Sequence, residues 1–157
     1  WENRIKTYGF QVVSKLALFR ISVAPQALAG LGAALFYEIR DMQFNWVLVQ
    51  RSSSQVLEIC ILLKQQWQHL LQTLLARCRQ NSTGFDLRID SPVEMIFFHG
   101  PHFGDRYGIA DTALRTLREK NLPIIASGCT GASVYIILPE HCGAKAEDIL
   151  SKVFDTP

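Results

Sequence analysis

Residues 93–100 read Val-Glu-Met-Ile-Phe-Phe-His-Gly, and residues 108–121 read Gly-Ile-Ala-Asp-Thr-Ala-Leu-Arg-Thr-Leu-Arg-Glu-Lys-Asn. The first holds an apolar run of strand length, Val93 to Phe98. In the second, Ala110, Ala113, Leu114 and Leu117 recur at helical spacing among polar residues, so a strand leads through a glycine-rich loop into an amphipathic helix. Two further apolar runs, Pro123 to Ser127 and Ala132 to Leu138, flank Gly128-Cys129-Thr130-Gly131, which has the composition of a hairpin turn. Ile149, Leu150, Val153 and Phe154 then mark a last helix. This half of the chain therefore reads βαββα.

The same order of patterns occurs upstream at an offset of 78 residues, the distance from Gly30 to Gly108. At that offset Arg40 falls on Arg118, Asp41 on Glu119, Val56 on Val134 and Ile59 on Ile137. Leu16 to Val23 is the predicted first strand, and Leu28, Leu31, Leu35, Ile39 and Met42 predict a helix. Asn45 to Arg51 and Gln55 to Leu63 are strands around Ser52-Ser53-Ser54. Trp67, Leu70, Leu71, Leu74, Leu75 and Cys78 form the cleanest helical stripe, with Gln68, Gln72, Arg77 and Arg79 outward.

Each half is one strand short of the βαββαβ ferredoxin-like unit. Phe85 to Asp90 can complete the first. The second is expected to end after its last helix with no further strand before Pro157, which leaves Ile5 to Val13 to complete it. The expected fold is α+β: one ferredoxin-like unit over residues 16–90, inserted after the N-terminal strand of a second unit formed by residues 5–13 and 93–155.

Bulk properties agree with a folded chain. The 157 residues are 48% hydrophobic and 19% charged, enough apolar mass for a core. Sixteen Lys and Arg against fourteen Asp and Glu leave a formal charge of +2, which gives no electrostatic footprint for nucleic acid or an anionic membrane. The stretch from Ile21 to Tyr37 is nearly uncharged but is broken by Ser22, Pro25, Gly30 and Gly32, and falls short of the ~20 residues of a membrane span. The first residue is Trp1, and no charged-then-apolar leader is read there, so no secretory signal is expected. Cys60, Cys78, Cys129 and Cys142 lack CxxC spacing and are expected to be reduced, in keeping with a cytoplasmic location.

Several constellations are candidates for chemistry. Gly100-Pro-His-Phe-Gly104-Asp-Arg-Tyr-Gly108 precedes a helix and could cradle an anion, but lacks the Gly-Lys-Ser/Thr ending of a phosphate loop. His99, His102 and Asp105, with His141 and Cys142, are candidate metal ligands whose three-residue spacing converges only on a helix, which Gly100, Pro101 and Gly104 oppose. Cys129 is flanked by glycines yet has no base nominated for it. Asn81-Ser82-Thr83 fits a glycosylation acceptor but is expected to be a turn. Hydroxyls and backbone amides at Ser52-Ser53-Ser54 could hold a small zwitterion. No cofactor or metal is expected, and the chain is not expected to be an enzyme by itself.

Taken together, the strand 93–98, the loop glycine 108, the helix ending at Asn121 and the strands Ile124-Ile-Ala-Ser-Gly128 and Ser133-Val-Tyr-Ile-Ile-Leu-Pro-Glu140 resemble an ACT domain. The tandem order, with its extra N-terminal strand, resembles the C-terminal regulatory region of aspartate kinase over residues 8–154. The resemblance implies a non-catalytic module without the kinase domain, which dimerises, acts on the kinase domain of a parent chain, and binds an end-product amino acid, typically lysine or threonine, in feedback control of aspartate-family biosynthesis. It implies an effector site at Pro25, Leu28, Gly30, Leu31 and Gly32, then Asn45, Trp46 and Val47, then Ser52 and Ser53. Val47 and Ser53 stand where lysine-sensitive members have carboxylates for the effector's ammonium groups, so a neutral side chain is expected of any ligand. A structural pair with a decayed pocket that only dimerises its enzyme is the alternative, and a small metal or thiol enzyme a more distant one.

Overall fold

The computed structural model describes residues 4–80, 84–101 and 103–156; His102 and Asn81-Ser82-Thr83 lie outside them. In chain order the strands are β1 (Ile5–Lys6), β2 (Phe10–Val23), β3 (Phe44–Arg51), β4 (Leu57–Lys64), β5 (Asp86–His99), β6 (Ala126–Thr130), β7 (Ser133–Pro139) and β8 (Phe154–Asp155). The helices are α1 (Leu28–Glu38), α2 (Gln68–Gln80), α3 (Ile109–Glu119) and α4 (Gly143–Ser151). By compactness the chain forms two units, one from Leu16 to Ser91 and one from the segments before Leu16 and from Pro92 onward.

In the first of these units the hydrogen-bonded strand order is β3-β4-β2-β5. Ala17, Phe19, Ile21 and Val23 alternate along β2 and face the same core as Ile59, Ile61 and Leu63 of β4, because the antiparallel register sets Phe19 against Ile61 and Ile21 against Ile59. Leu31 and Leu35 of α1 and Leu71, Leu74 and Leu75 of α2 cover that face. Each such side chain removed from water stabilises the unit by about 1.5–3 kcal/mol.

In the other unit the order is β2-β5-β7-β6. Ile96 and Phe98 of β5 and Ile136 and Leu138 of β7 meet Ala113 and Leu117 of α3 and Leu150 of α4. Helix α3 ends where Asn121 takes φ +55°: its N–H donates to the Arg118 carbonyl at 2.9 Å, and the Leu122 N–H donates to the Leu117 carbonyl at 3.0 Å. That pair of bonds is a Schellman closure, and Asn tolerates the left-handed backbone it needs.

Several boundaries differ from the sequence reading. Ile5 to Val13 is not one strand: Thr7, Tyr8 and Gly9, the last at φ +116°, separate β1 from β2. β2 then runs on through Lys15, a non-glycine residue at φ +58°, into the stretch expected to be a separate strand. β5 likewise joins two expected strands across Ser91-Pro92, since proline is excluded only where a ladder N–H is required. Ile39 and Met42 lie beyond the end of α1, and Trp67 lies in a 3-10 turn ahead of α2. Pro123 to Ile125 precede β6, whereas Gly128, Cys129 and Thr130 belong to it; the turn is Gly131-Ala132, closed by the Thr130–Ser133 pair, with Gly131 at φ +50°.

The C-terminal reading also needs correction. Val153 and Phe154 are not helical, and the chain does not end on its last helix: β8 follows α4 and pairs in parallel with β1, Ile5 opposite Phe154. Phe154 is drawn there by an aromatic cluster, its ring centroid 5.2 Å from that of Phe98 and 6.0 Å from that of Phe10. A two-residue strand carries no periodicity to read.

Candidate functional site

The ten residues expected to hold an effector fall on a 3-10 turn, α1, β3 and the loop after it, all in the unit from Leu16 to Ser91. Pro25 opens a 3-10 turn (Pro25–Ala27), which its fixed φ favours, and this turn feeds directly into α1. Leu28, Gly30, Leu31 and Gly32 are therefore helical, not residues of an entering loop. Gly32 lies in the second turn, where N–H groups are committed to helix carbonyls, so it offers no amide to a ligand. An ideal Cβ at either glycine meets nothing within 4 Å.

Asn45, Trp46 and Val47 sit at the start of β3, an edge strand. The register jumps between Phe44 and Trp46, leaving Asn45 as the extra residue of a bulge. Trp46 is buried opposite Leu62, while Val47, opposite Ile61, is 47% exposed. Successive strand residues face opposite ways, so Trp46 and Val47 cannot line one side of a site together.

Ser52 and Ser53 begin the loop between β3 and β4. Both backbone N–H groups donate to the Val56 carbonyl, at 2.9 and 3.2 Å, and the Gln55 N–H donates to Ser53 Oγ at 3.3 Å. The amides expected to be available for a carboxylate are therefore taken up in closing the loop.

Gly30 and Leu31 do line a cavity, of about 250 Å³, but its other walls are Val23, Ala27, Ala34, Cys78 and Phe85, not β3 or the serine loop. It adjoins a second cavity of about 320 Å³ through the shared Ala34 and Cys78, walled also by Leu35 and Leu74 and rimmed by Glu38 and Arg77. Sequence reasoning placed Arg77 on an outward polar face and Cys78 in a core stripe. Not legible there is that Gly30 and Ala34 of α1, with Ala27 of the turn before it, are small residues spaced three and four apart, on the side that leaves room against α2.

Cys60 is buried, and burial, with a smaller contribution from the Glu58 carboxylate, pushes its thiol pKa up against the opposing pull of Arg20; it is a protonated core residue. Cys129 is exposed at the end of β6, opposite Val134. Among the described residues no three His, Cys, Asp or Glu side chains are grouped to hold a metal ion. Gly100 is required for a close approach, since a Cβ there would lie 2.3 Å from the Lys6 carbonyl oxygen, and this accounts for that glycine without an anion. Among the described residues no helix is long and apolar enough to cross a membrane.

No family model matches the sequence, and a comparison with curated proteins finds no match. Solved structures do match. The regulatory subunit of aspartate kinase from Thermus flavus superposes with a TM-score of 0.82 at 10% identity, over 96% of this chain and 99% of that one. This chain has the fold of an aspartate kinase regulatory subunit. A structure of aspartokinase alpha and beta subunits matches at TM-score 0.78 and 16% identity, over 94% and 97%. Escherichia coli aspartokinase III in complex with lysine and aspartate matches at TM-score 0.68 and 14% identity, over 99% of this chain but 35% of that one. The chain thus corresponds to whole regulatory subunits and to about a third of that longer kinase.

Proposed function

We propose that the chain is a non-catalytic, amino-acid-responsive regulatory module of an aspartate kinase, built from two ACT units. The observation that carries this is the strand order. Taking residues 16–90 as one unit and residues 5–13 with 93–155 as the other, β5-β2-β4-β3 and β2-β5-β7-β6 each run fourth, first, third, second, the order of a ferredoxin-like sheet. The interleaved use of β2 and β5 by both units and the match to free-standing regulatory subunits over nearly their whole length support the same reading.

The ligand fitting this reading is an amino acid with an uncharged side chain, since none of the ten residues on α1, β3 and the serine loop carries a charge. The module assembles as a homodimer through exposed apolar positions such as Phe36, Val47 and Val49. A second reading, a structural pair retained only to dimerise its enzyme, is favoured by one specific observation: the Ser52 and Ser53 amides are already bonded to Val56. Sedimentation and a phosphoryl-transfer assay with aspartate and ATP test the shared part of both readings. A mass of two 17.7 kDa chains and no transfer above a mock-purified control are expected; a monomer at high concentration, or transfer by the pure chain, would overturn it.

A further inference from the structure

We infer that the cleft between α1 and α2 binds a free amino acid with an aliphatic side chain, its carboxylate on Arg77 and its ammonium on Glu38. This deepens the regulatory reading and rests on it, but places the ligand apart from Asn45, Val47 and the serine loop. The cleft exists because α1 presents Gly30 and Ala34 where larger residues would close it, and an ideal Cβ at Gly30 meets nothing within 4 Å. Its volume of about 320 Å³ lies at the low end of the ~300–1,000 Å³ typical of small-ligand pockets. That size suits a single amino acid better than a nucleotide.

The charges at its mouth select the head group. Arg77 Nη2 stands 3.7 Å from Glu38 Oε2, too far for a hydrogen bond, and the two side chains are 60% and 53% exposed. Such a pair contributes little to the fold and gives up little when a ligand enters between its members. An α-amino acid carries both complementary charges on adjacent groups. Its carboxylate can take two guanidinium N–H donors in a fork, and its ammonium can donate to Glu38. A ligand with one charge satisfies one rim residue and leaves the other without its former partner.

The walls select the side chain. Ala34, Leu35, Leu74 and Cys78 offer apolar contact, and Tyr37 adds a ring with a neutral hydroxyl, so leucine, isoleucine, valine or methionine fits while the second ammonium of lysine would be desolvated without an anionic partner. The adjoining cavity past Ala34 gives room for a branched chain.

Backbone amide NMR of the full chain, titrated with leucine, 4-methylpentanoate, 3-methylbutylamine and lysine, tests this. Saturable leucine shifts at Ala34, Leu74 and Cys78 are expected, with each single-charge analogue and lysine at least tenfold weaker. Arg77→Ala and Glu38→Ala should each weaken leucine about tenfold or more with unchanged melting, and Ala34→Leu should abolish binding. Shifts confined to Asn45, Val47, Ser52 and Ser53 and indifferent to Arg77→Ala would overturn the cleft while sparing the regulatory reading. Absence of any saturable shift with leucine would overturn the cleft, and the same absence across other amino acids would overturn amino-acid sensing as well.

Discussion

Glu94 Oε2 accepts the backbone N–H of Gly143 at 2.6 Å, tying β5 to the first residue of α4. Glu94 is 8% exposed and its carboxylate also accepts the Ser14 Oγ–H at 3.1 Å, so a buried acid is held by two donors at a helix N-terminus whose dipole favours negative charge. Glu94→Ala leaves the Gly143 amide and the Ser14 hydroxyl without this partner and should cost about 1–3 kcal/mol in chemical denaturation. An unchanged midpoint would show that the contact is dispensable.

Gly143→Ala probes the same contact from the other side. An added Cβ would lie 2.4 Å from Val12 Cγ1 and 2.7 Å from Glu94 Oε2, and valine has little rotamer freedom to yield. A loss of roughly 1–3 kcal/mol is expected from overpacking. The paired control is Gly30→Ala, where the backbone is helical and the space open: a gain of about 0.5–1 kcal/mol is expected. A loss at position 30 would mean that its glycine serves something other than the helix.

Phe154→Ala removes the ring that packs on Phe10 and Phe98 and should destabilise by about 3–5 kcal/mol. Hydrogen exchange of the Thr7 amide, which donates to the Asp155 carbonyl at 2.8 Å, should accelerate with it. Continued protection of Thr7 in the variant would show that β8 is held without its aromatic anchor.

Cys60 gives a pH dependence with a definite sign. Its folded pKa is raised by burial, so above the ordinary thiol value of about 8.5 the unfolded chain loses a proton that the folded chain retains. The unfolded state then binds fewer protons, and this group's contribution to stability falls as pH rises from there toward the folded pKa. Cys60→Ala should flatten the alkaline decline relative to wild type, and thiol labelling of the folded protein should reach exposed Cys129 long before Cys60. Equal labelling rates would contradict the burial.

Most elements were legible because their faces alternate or recur cleanly: Phe19 and Ile21 against Ile61 and Ile59, and Leu71, Leu74 and Leu75 along α2. The resemblance placed a helix end at Asn121, and its left-handed backbone is the physical reason that residue stops α3. Misreadings arose where tertiary contacts overrode local signals. Lys15 and Ser91-Pro92 look like breaks yet lie within continuous strands, and Gly128 to Thr130 look like a turn yet pair with Tyr135, Val134 and Ser133. β1 and β8 are too short for any pattern, and depend on residues about 150 positions apart in register. At the candidate site, the family resemblance nominated Gly30 and Leu31, but nothing in the sequence could show that Ala34 and Cys78 would complete a cavity with them, because that depends on how α1 and α2 pack.

Whether this fold responds to an amino acid is read from a thermal-melt series with lysine, threonine, methionine, isoleucine and alanine at millimolar concentration. A ligand at ~100 times its dissociation constant stabilises by about 2.7 kcal/mol. For a chain of this length that is a rise of roughly 5–10 °C. Such a rise is expected from a neutral amino acid and little from lysine. A comparable rise from lysine with the neutral amino acids silent would contradict the specificity, and no rise from any of them would contradict the sensing role itself.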